Sequence, residues 1–260
     1  MSLPKLMVAP NGARLRKADH PAVPLTHDEI VACAVACYEA GADGIHAHIR
    51  DENGNHLLDA KRYAELISTL RNTLPEMAVQ ITTEAVGVYE PDTQMHVALE
   101  SGANMVSASI REIRRAGRQT ADDFYAECAH EDIAVQHILY DVSDCLLLEE
   151  TLDPAALTNP HLQLLYVLGR HSANSTADPA ELTPFLDWQQ KRRVAPDWAV
   201  CAFGTTEMTC LQNAVKLGGK CRIGFENSLY LSDGNIAADN AEKVVDFVTK
   251  LRFLRAENGP

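Results

Sequence analysis

The chain has 260 residues, of which 46% are hydrophobic and 23% are charged, a composition typical of a globular protein. Its formal net charge of −13 argues against nucleic acid and membrane surfaces as partners, because an acidic protein repels phosphate groups and anionic lipids. Seven cysteines without CxxC spacing, together with the lack of a long apolar run, predict a cytoplasmic protein with reduced thiols.

Short apolar segments typical of strands alternate with segments of helical periodicity along the chain. The predicted strands cover residues 5–10, 43–49, 77–83, 104–110, 134–140, 163–169, 198–204 and 221–227. The predicted helices cover residues 27–40, 59–74, 121–131, 179–193, 205–219 and 235–254, and we expect Pro184 to break the fourth of them. The segments 91–101 and 145–157 show a less clear pattern.

Strands that alternate with helices form parallel sheets, because each parallel connection needs a crossover segment. Eight such repeats in about 250 residues predict an α/β fold of the (β/α)8 TIM-barrel type, as a single domain over residues 1–260. A doubly wound open sheet is the alternative, although it rarely contains eight regular units. In a barrel, the polar loop 11–26 would lie on the catalytic face, at the carboxyl ends of the strands.

Two histidines occupy alternate positions near the end of the second predicted strand. Because side chains two apart on a strand point to the same face, the imidazoles of His46 and His48 can converge on one metal ion. A third ligand would come from another strand end, where Glu226 and Glu84 are the candidates. His137 is a further candidate, but a histidine in mid-strand is more often structural. The alternative is that one of the paired histidines fills the core and the other faces a helix.

Three segments resemble the β-keto acid cleavage enzyme family, which includes 3-keto-5-aminohexanoate cleavage enzyme. They are VAPNGAR at 8–14, GIHAHIRDENGNHLLD at 44–59 and RIGFENSLYLSDG at 222–234. The resemblance implies a homo-oligomeric (β/α)8 barrel, a dimer or tetramer, with a divalent metal, typically Zn²⁺, bound by His46, His48 and Glu226. It implies a Claisen condensation followed by retro-Claisen cleavage, in which a β-keto acid and acetyl-CoA give acetoacetate and a new acyl-CoA. The arginine of the family's late motif falls on Arg222, to which we assign a catalytic role.

The sequence departs from the family pattern at two positions. Arg14 stands where the aminohexanoate enzymes carry an acid, which predicts a β-keto acid with a remote anionic group, such as a dicarboxylate. The alternative is that Arg14 faces solvent or pairs with a loop acid such as Asp19. Asn227 stands where the family often has aspartate, and an amide cannot accept a proton as a carboxylate does. If that aspartate acts as a base, Glu84 is its predicted replacement, with His137 as the second choice.

Further substrate contacts are predicted at the ends of the third and fourth strands. The hydroxyl groups there belong to Thr82, Thr83, Ser107 and Ser109, and which member of each pair points inward stays open. The arginine-rich segment 111–118 could bind CoA phosphates, although a solvated helix start is the more common role of such a segment. The polar segment 169–179 could cover the site.

These observations leave three functions open. A zinc-dependent acyltransferase of the β-keto acid cleavage type is the leading hypothesis. A metal-dependent hydrolase or aldolase on the same barrel is the second. Amidohydrolase-type barrels, however, place their HxH motif on the first strand and carry a late aspartate, whereas this chain has HxH on the second strand and Asn227 at the end of the eighth. The third is a non-catalytic protein that binds CoA or a keto acid.

Overall fold

Parallel strands close into a barrel in the computed structural model, which describes residues 1–169 and 176–257, with side chains through residue 253. In chain order the strands are β1 (Leu6–Val8), β2 (Gly44–Ala47), β3 (Ile49–Arg50), β4 (His56–Leu57), β5 (Ala78–Thr82), β6 (Met105–Ser109), β7 (Ala134–Leu139), β8 (Gln163–Leu168), β9 (Asp197–Ala202) and β10 (Lys220–Ile223). The barrel follows the order β1-β10-β9-β8-β7-β6-β5-β2, and β3 and β4 form a separate antiparallel hairpin. The predicted (β/α)8 barrel is therefore confirmed.

Helices cover the outside of the barrel between successive strands. They are α1 (His27–Ala40), α2 (Ala60–Thr73), α3 (Pro91–Glu100), α4 (Ile110–Ile113), α5 (Arg118–His130), α6 (Val142–Thr151), α7 (Pro154–Leu157), α8 (Thr183–Arg192), α9 (Glu207–Lys216) and α10 (Asn240–Glu257). Short 3₁₀ turns occupy Arg114–Ala116 and Pro179–Leu182. The two segments without a clear sequence pattern contain α3, most of α6, and α7.

Local sequence signals explain several helix boundaries. Thr26 and Glu29 form a capping box at the start of α1, and Gly41 ends that helix at φ 113°. Pro184 lies in the first turn of α8, where proline is tolerated, so the break comes before the helix and not within it. The helix predicted from residue 235 begins at Asn240.

The core has two layers, because side chains on a strand alternate between the barrel interior and the surrounding helices. Val8, Ile45 and Ile81 belong to the large cluster between strands and helices. Met7 and Met105 belong to a smaller cluster inside the barrel. All seven cysteines are free thiols, and six of them are buried. Within the described ranges, no helix is long and apolar enough to cross a membrane.

Candidate active site

The end of one strand and the loop after another bring three potential metal ligands together at the mouth of the barrel. His46 lies near the end of β2, His48 follows two residues later, and Glu226 lies in the loop after β10. The Nε2 atoms of the two histidines are 3.0 Å apart. Each of them lies 3.7 Å from Oε2 of Glu226. Both imidazoles are buried, so the structure brings together the three residues to which the sequence assigned the metal.

The spacing of these three atoms fits a small divalent cation. Ligands bound at about 2.0–2.1 Å in a tetrahedral site lie roughly 3.3–3.4 Å from one another. The observed separations of 3.0, 3.7 and 3.7 Å lie on either side of that value. Oε2 of Glu226 and Nδ1 of His48 are buried and have no hydrogen-bond partner in the described part of the chain. The donor set therefore fits Zn²⁺ or a similar ion.

The charge states of the site also suit a cation. Burial lowers the pKa of His46 well below its usual range, and the nearby charge of Arg222 lowers it further. This imidazole is therefore neutral and retains a lone pair. Burial alone would raise the pKa of Glu226, but Arg222 and the two histidines outweigh that effect and hold this pKa well below its usual range. The site offers an ionised carboxylate and a neutral imidazole, as metal ligands require.

Hydrogen bonds from two helices hold the loop that carries Glu226. Gly224, at φ 144°, ends β10 and turns the chain, so the strand predicted to reach residue 227 ends at Ile223. The amide of Gly224 donates to Oε1 of Glu207 on α9 at 3.3 Å. The amide of Phe225 donates to Oδ1 of Asn240 on α10 at 2.9 Å. These two bonds set the position of the carboxylate that follows.

A buried ion pair lies beneath the same loop. Nζ of Lys243 is 2.6 Å from Oε2 of Glu207, and both side chains are fully buried. Lys243 also donates to the carbonyl of Tyr230 at 2.6 Å. Burial raises the pKa of Glu207 to about 7, against the opposing effect of Lys243. The pair therefore links α9, α10 and the loop after β10 in one buried network.

Arg222 points into the mouth of the barrel and has hydrogen-bond donors that are not used within the described residues. Its Nη2 donates to Oε1 of Glu226 at 3.2 Å, which leaves Oε2 directed at the histidines. Nε and Nη1 of Arg222 are buried and lack a hydrogen-bond partner among residues 1–169 and 176–257. A guanidinium with unused donors beside a cation site is well suited to bind a substrate carboxylate.

A narrow inner cavity and a wider outer cavity meet at this site. The inner cavity, of about 10 Å³, is lined by His46, Thr82, Glu84, Ser109, Arg222, Glu226 and neighbouring residues. The outer cavity, of about 480 Å³, is lined by residues 11–15 together with Glu84, Phe203 and Glu226. Glu84, Phe203 and Glu226 line both cavities, so they form the boundary between them.

Arg14 pairs with the carboxylate that the sequence proposes as the base. Its Nη1 lies 2.9 Å from Oε1 of Glu84, and the side chains of Arg14 and Glu84 are 63% and 10% exposed. Asp19, the loop acid considered as a partner for Arg14, instead accepts a hydrogen bond from the backbone amide of Arg16. Arg14 therefore faces the outer cavity, and its partner is Glu84.

The predicted hydroxyl contacts fall into two groups. Thr82 and Ser109 line the inner cavity. The hydroxyl oxygens of Ser107 and Ser109 are buried without a partner in the described ranges, and Ser109, which lines the inner cavity, is the one placed to meet a ligand. Thr83 faces the other way, and its hydroxyl donates to the carbonyl of Ser107 at 2.9 Å, which is a structural bond instead of the predicted substrate contact.

Asn227 and the second base candidate, His137, occupy different environments. Asn227 is buried, and neither polar atom of its amide has a hydrogen-bond partner in the part of the chain that the structure describes. His137 packs outside the barrel against Tyr125 of α5, with ring centroids 4.8 Å apart. Burial lowers its pKa to about 3. His137 therefore lies away from the mouth, in the structural role that the sequence analysis gave as the alternative.

Two arginines of the segment 111–118 form ion pairs with carboxylates. Arg111 forms ion pairs with Asp141 and Asp144. Nη2 of Arg115 lies 2.6 Å from Oε2 of Glu90. These contacts favour the structural role of the segment over phosphate binding. Most of the segment 169–179, predicted to cover the site, lies outside the described residues.

Sequence reasoning does not find three residues with a carboxylate or an aromatic ring that line the inner cavity. They are Glu112, Tyr140 and Phe203. Tyr140 and Phe203 come directly after β7 and β9, and Glu112 lies three residues beyond β6. A search of the last residues of each predicted strand and the first residues after it would have found them, because barrel sites are built at those ends.

The fold and the site define a (β/α)8-barrel protein with a candidate metal centre of two histidines and one carboxylate. A family model matches residues 5–257, and the chain belongs to this family, the beta-keto acid cleavage enzymes. A 3-keto-5-aminohexanoate cleavage enzyme from Fusobacterium nucleatum is 25% identical and covers 95% of this chain and 90% of its own. A 3-oxoadipate:acetyl-CoA acetyltransferase from Cupriavidus necator is 26% identical and covers 92% of this chain and 85% of its own.

Solved structures share the fold at lower identity. The binary complex of ObcA with oxaloacetate superposes with a TM-score of 0.67 at 14% identity. The match covers 90% of this chain but 64% of ObcA, so this chain spans less than two thirds of that protein. A dihydropteroate synthase from Xanthomonas albilineans has a TM-score of 0.56 at 14% identity. At this identity the likeness concerns the barrel fold alone.

Proposed function

We propose that this protein is a metal-dependent acyltransferase that cleaves β-keto acids with acetyl-CoA as co-substrate. The reaction converts a β-keto acid and acetyl-CoA into acetoacetate and a new acyl-CoA. The observation that carries this proposal is the convergence of His46, His48 and Glu226 beside the unused donors of Arg222. Membership of the family and the names of the curated relatives support the same reaction class.

The residues of the mouth have separate tasks in this reaction. His46, His48 and Glu226 would hold the cation, which supplies a Lewis acid for the keto and carboxylate oxygens of the substrate. Nε and Nη1 of Arg222 donate to the substrate carboxylate. The hydroxyl of Ser109, which lines the inner cavity, donates to a further oxygen of the bound acid. These groups would hold the β-keto acid at the inner end of the mouth, beside Glu84.

The bond changes balance with one base and no oxidant. Glu84 removes a proton from C2 of the β-keto acid, and the resulting carbanion attacks the acetyl carbonyl while the CoA thiolate departs. The thiolate then attacks the original ketone carbon, and the bond between that carbon and C2 breaks. Acyl-CoA and the carbanion of acetoacetate result, and Glu84 returns the proton to C2.

Two observations support Glu84 as the base. It lines both the inner and the outer cavity, so a substrate held beside the candidate metal ligands and a thioester in the outer cavity would meet beside it. Asn227 has an amide in place of a carboxylate and cannot accept the proton. In our proposal Asn227 donates a hydrogen bond to a substrate oxygen, since its amide nitrogen is buried and unpaired among the described residues.

Arg14 supports a substrate with a second anionic group. Its guanidinium lines the outer cavity, where the far end of a β-keto acid would lie. A substrate carboxylate would compete with Glu84 for this cation. A β-keto dicarboxylate meets this requirement, and 3-oxoadipate, named for the relative from Cupriavidus necator, is a compound of this type.

Three further points of the proposal depend on the resemblance of the sequence to the family. They are the identity of the metal as Zn²⁺, assembly as a homo-oligomer, a dimer or tetramer, and a location in the cytoplasm. Measurement of the metal content of purified protein and of its mass in solution would test the first two.

A screen of β-keto acids with and without acetyl-CoA tests the function, with acetoacetate and acyl-CoA as the measured products. We expect both products in equal amounts, formed only when acetyl-CoA is present. Turnover without acetyl-CoA would instead indicate a hydrolase or aldolase, and binding without turnover would indicate a non-catalytic protein. Glu84→Gln should lower turnover by about 10²–10⁴-fold while the protein retains metal. Glu52→Gln, at a side chain that is 89% exposed, is the matched control.

A further inference from the structure

Two buried glutamines connect His46 to the opposite side of the barrel interior. Nδ1 of His46 lies 2.8 Å from Oε1 of Gln80 on the neighbouring strand β5. Nε2 of Gln80 donates to Oε1 of Gln136 on β7 at 3.0 Å. Nε2 of Gln136 donates in turn to the backbone carbonyl of Leu164 on β8 at 3.4 Å. Both glutamines are fully buried, and no step of the proposed reaction uses them.

The backbone carbonyl of Leu164, at the end of this series of hydrogen bonds, determines which atom donates and which accepts in each of them. A backbone carbonyl can only accept, so Gln136 must present its amide nitrogen to Leu164 and its oxygen to Gln80. Gln80 must then present its nitrogen to Gln136 and its oxygen to His46. An amide oxygen also only accepts, so Nδ1 of His46 carries the hydrogen.

The strand register places the first two residues side by side. His46 and Gln80 are paired residues on the adjacent parallel strands β2 and β5, so their side chains share the interior face of the barrel. Rotation of either glutamine amide by 180° would set two oxygens or two donors against each other. The buried position leaves little room for water to compensate for such a mismatch.

We propose that Gln80 and Gln136 are positioning residues that hold His46 as its Nδ1–H tautomer, before any metal binds. The lone pair of Nε2 then faces His48 and Glu226. The inference concerns the histidine itself, and its consequence for metal affinity rests on the proposed function. Partners of this kind that orient a ligating histidine are typically worth 10- to 100-fold in metal affinity.

The two histidines therefore differ in which ring nitrogen carries the hydrogen before a metal binds. With Nε2 of His46 unprotonated, the contact of 3.0 Å requires that Nε2 of His48 carries the hydrogen. Nδ1 of His48 has no hydrogen-bond partner within the described ranges, so nothing there opposes a change of tautomer. His46 is preset as a ligand, whereas His48 must give up the hydrogen on Nε2 when a cation arrives.

Three substitutions distinguish the positioning of His46 by these glutamines from a simple contribution to core packing. Gln80→Leu removes the acceptor for His46, and Gln136→Leu removes the group that orients Gln80. Gln80→Glu keeps an acceptor for His46 and should retain the tautomer, while its second oxygen faces Oε1 of Gln136 and should lower the stability of the fold. The matched control is Gln163→Leu, since Gln163 is a buried glutamine on β8 that donates to the carbonyl of Met1 instead.

The test combines ¹⁵N spectra of the imidazoles in metal-free protein with Zn²⁺ affinity measured by competition with a chelator. For the wild type we expect an Nδ1–H signal for His46 and an Nε2–H signal for His48. Gln80→Leu should lose the fixed tautomer of His46 and bind Zn²⁺ about 10- to 100-fold more weakly. Gln136→Leu should show a smaller loss, and Gln80→Glu and Gln163→Leu should remain near the wild-type affinity.

An Nε2–H signal for His46 in the metal-free wild type would overturn the inference, and this spectrum needs no substitution. Wild-type affinity in a folded Gln80→Leu protein would overturn the effect on the metal. Failure of the wild type to bind Zn²⁺ would count against the proposed function alone, because the tautomer is read in the absence of metal.

Discussion

Nη1 of Arg14 lies 2.9 Å from Oε1 of Glu84, at the boundary between the inner and outer cavities. The sequence suggests separate tasks for these residues, substrate choice for Arg14 and proton transfer for Glu84, yet they are ion-pair partners. Because the Arg14 side chain is 63% exposed, the pair adds little to stability, about 0–1 kcal/mol. Its importance in our proposal is functional, since an anionic substrate group that binds Arg14 competes with the carboxylate of Glu84.

Reversal of the charge at position 14 should change the preferred substrate. In Arg14→Glu, a β-keto acid with a remote carboxylate loses its cation, so its kcat/KM should fall by on the order of 10- to 100-fold. A β-keto acid with a remote amino group should be converted relatively better. Arg16→Glu is the control, because Arg16 binds Asn53 and Asn55 and does not line either cavity. An unaltered ratio of the two kcat/KM values would remove Arg14 from substrate choice.

Removal of one imidazole should empty the candidate metal centre. His48→Ala takes away one of three donors, so we expect purified protein to lose most of its metal and its activity together. Metal per chain, measured by atomic emission, gives the direct answer. His137→Phe changes a buried histidine outside the mouth and should leave the metal in place. Unchanged metal content in His48→Ala would show that the ligand set is wrong.

The buried ion pair beneath the Glu226 loop should be sensitive to the loss of one partner. Lys243→Met leaves the carboxylate of Glu207 buried without its cation, so the free energy of unfolding should fall by about 3–5 kcal/mol. Replacing both partners, as Lys243→Met with Glu207→Gln, should cost less. Urea unfolding measures each value. Lys17→Met, which removes a half-exposed ion pair with Glu29, should cost about 1 kcal/mol or less.

The buried His137 should contribute to acid sensitivity. Its pKa is about 3 in the folded protein and 6.5 in the unfolded chain, so the unfolded state binds the extra proton as the pH falls below 6.5. The contribution to stability is complete above pH 6.5 and declines by about 1.4 kcal/mol per pH unit toward pH 3. In His137→Phe this part of the pH dependence should disappear from urea unfolding curves. His130→Phe, at a side chain that is 78% exposed, should keep the wild-type slope.

Repeated local patterns made most of the fold predictable. Each strand of the barrel shows as a short apolar run, and several of the helices between them show helical periodicity, with caps such as Thr26 and Gly41 around α1. The HxH motif was informative because the period of two puts His46 and His48 on one face. The barrel then brings the ends of β2 and β10 together, although they are distant in sequence.

Contacts between residues distant in sequence were harder to predict. Arg14 and Glu84 are 70 residues apart, and no local pattern selects Glu84 over the nearby Asp19. The β3–β4 hairpin consists of two strands of two residues each, too short to give a period. The series from His46 through Gln80 to Gln136 depends on which face of the barrel each glutamine occupies. That face follows from the strand register, which the sequence leaves open by one residue.

The barrel closes where β1 pairs with β10, and the backbone amide of Glu226 donates to the carbonyl of Ala9 just beyond that seam. The carboxylate thus meets the histidines only once the first and last strands have joined. During synthesis on the ribosome, His46 and His48 would be present in the nascent chain long before Glu226 emerged. If the proposed metal binding holds, capture of the ion would therefore come late in biogenesis, once the ring is complete.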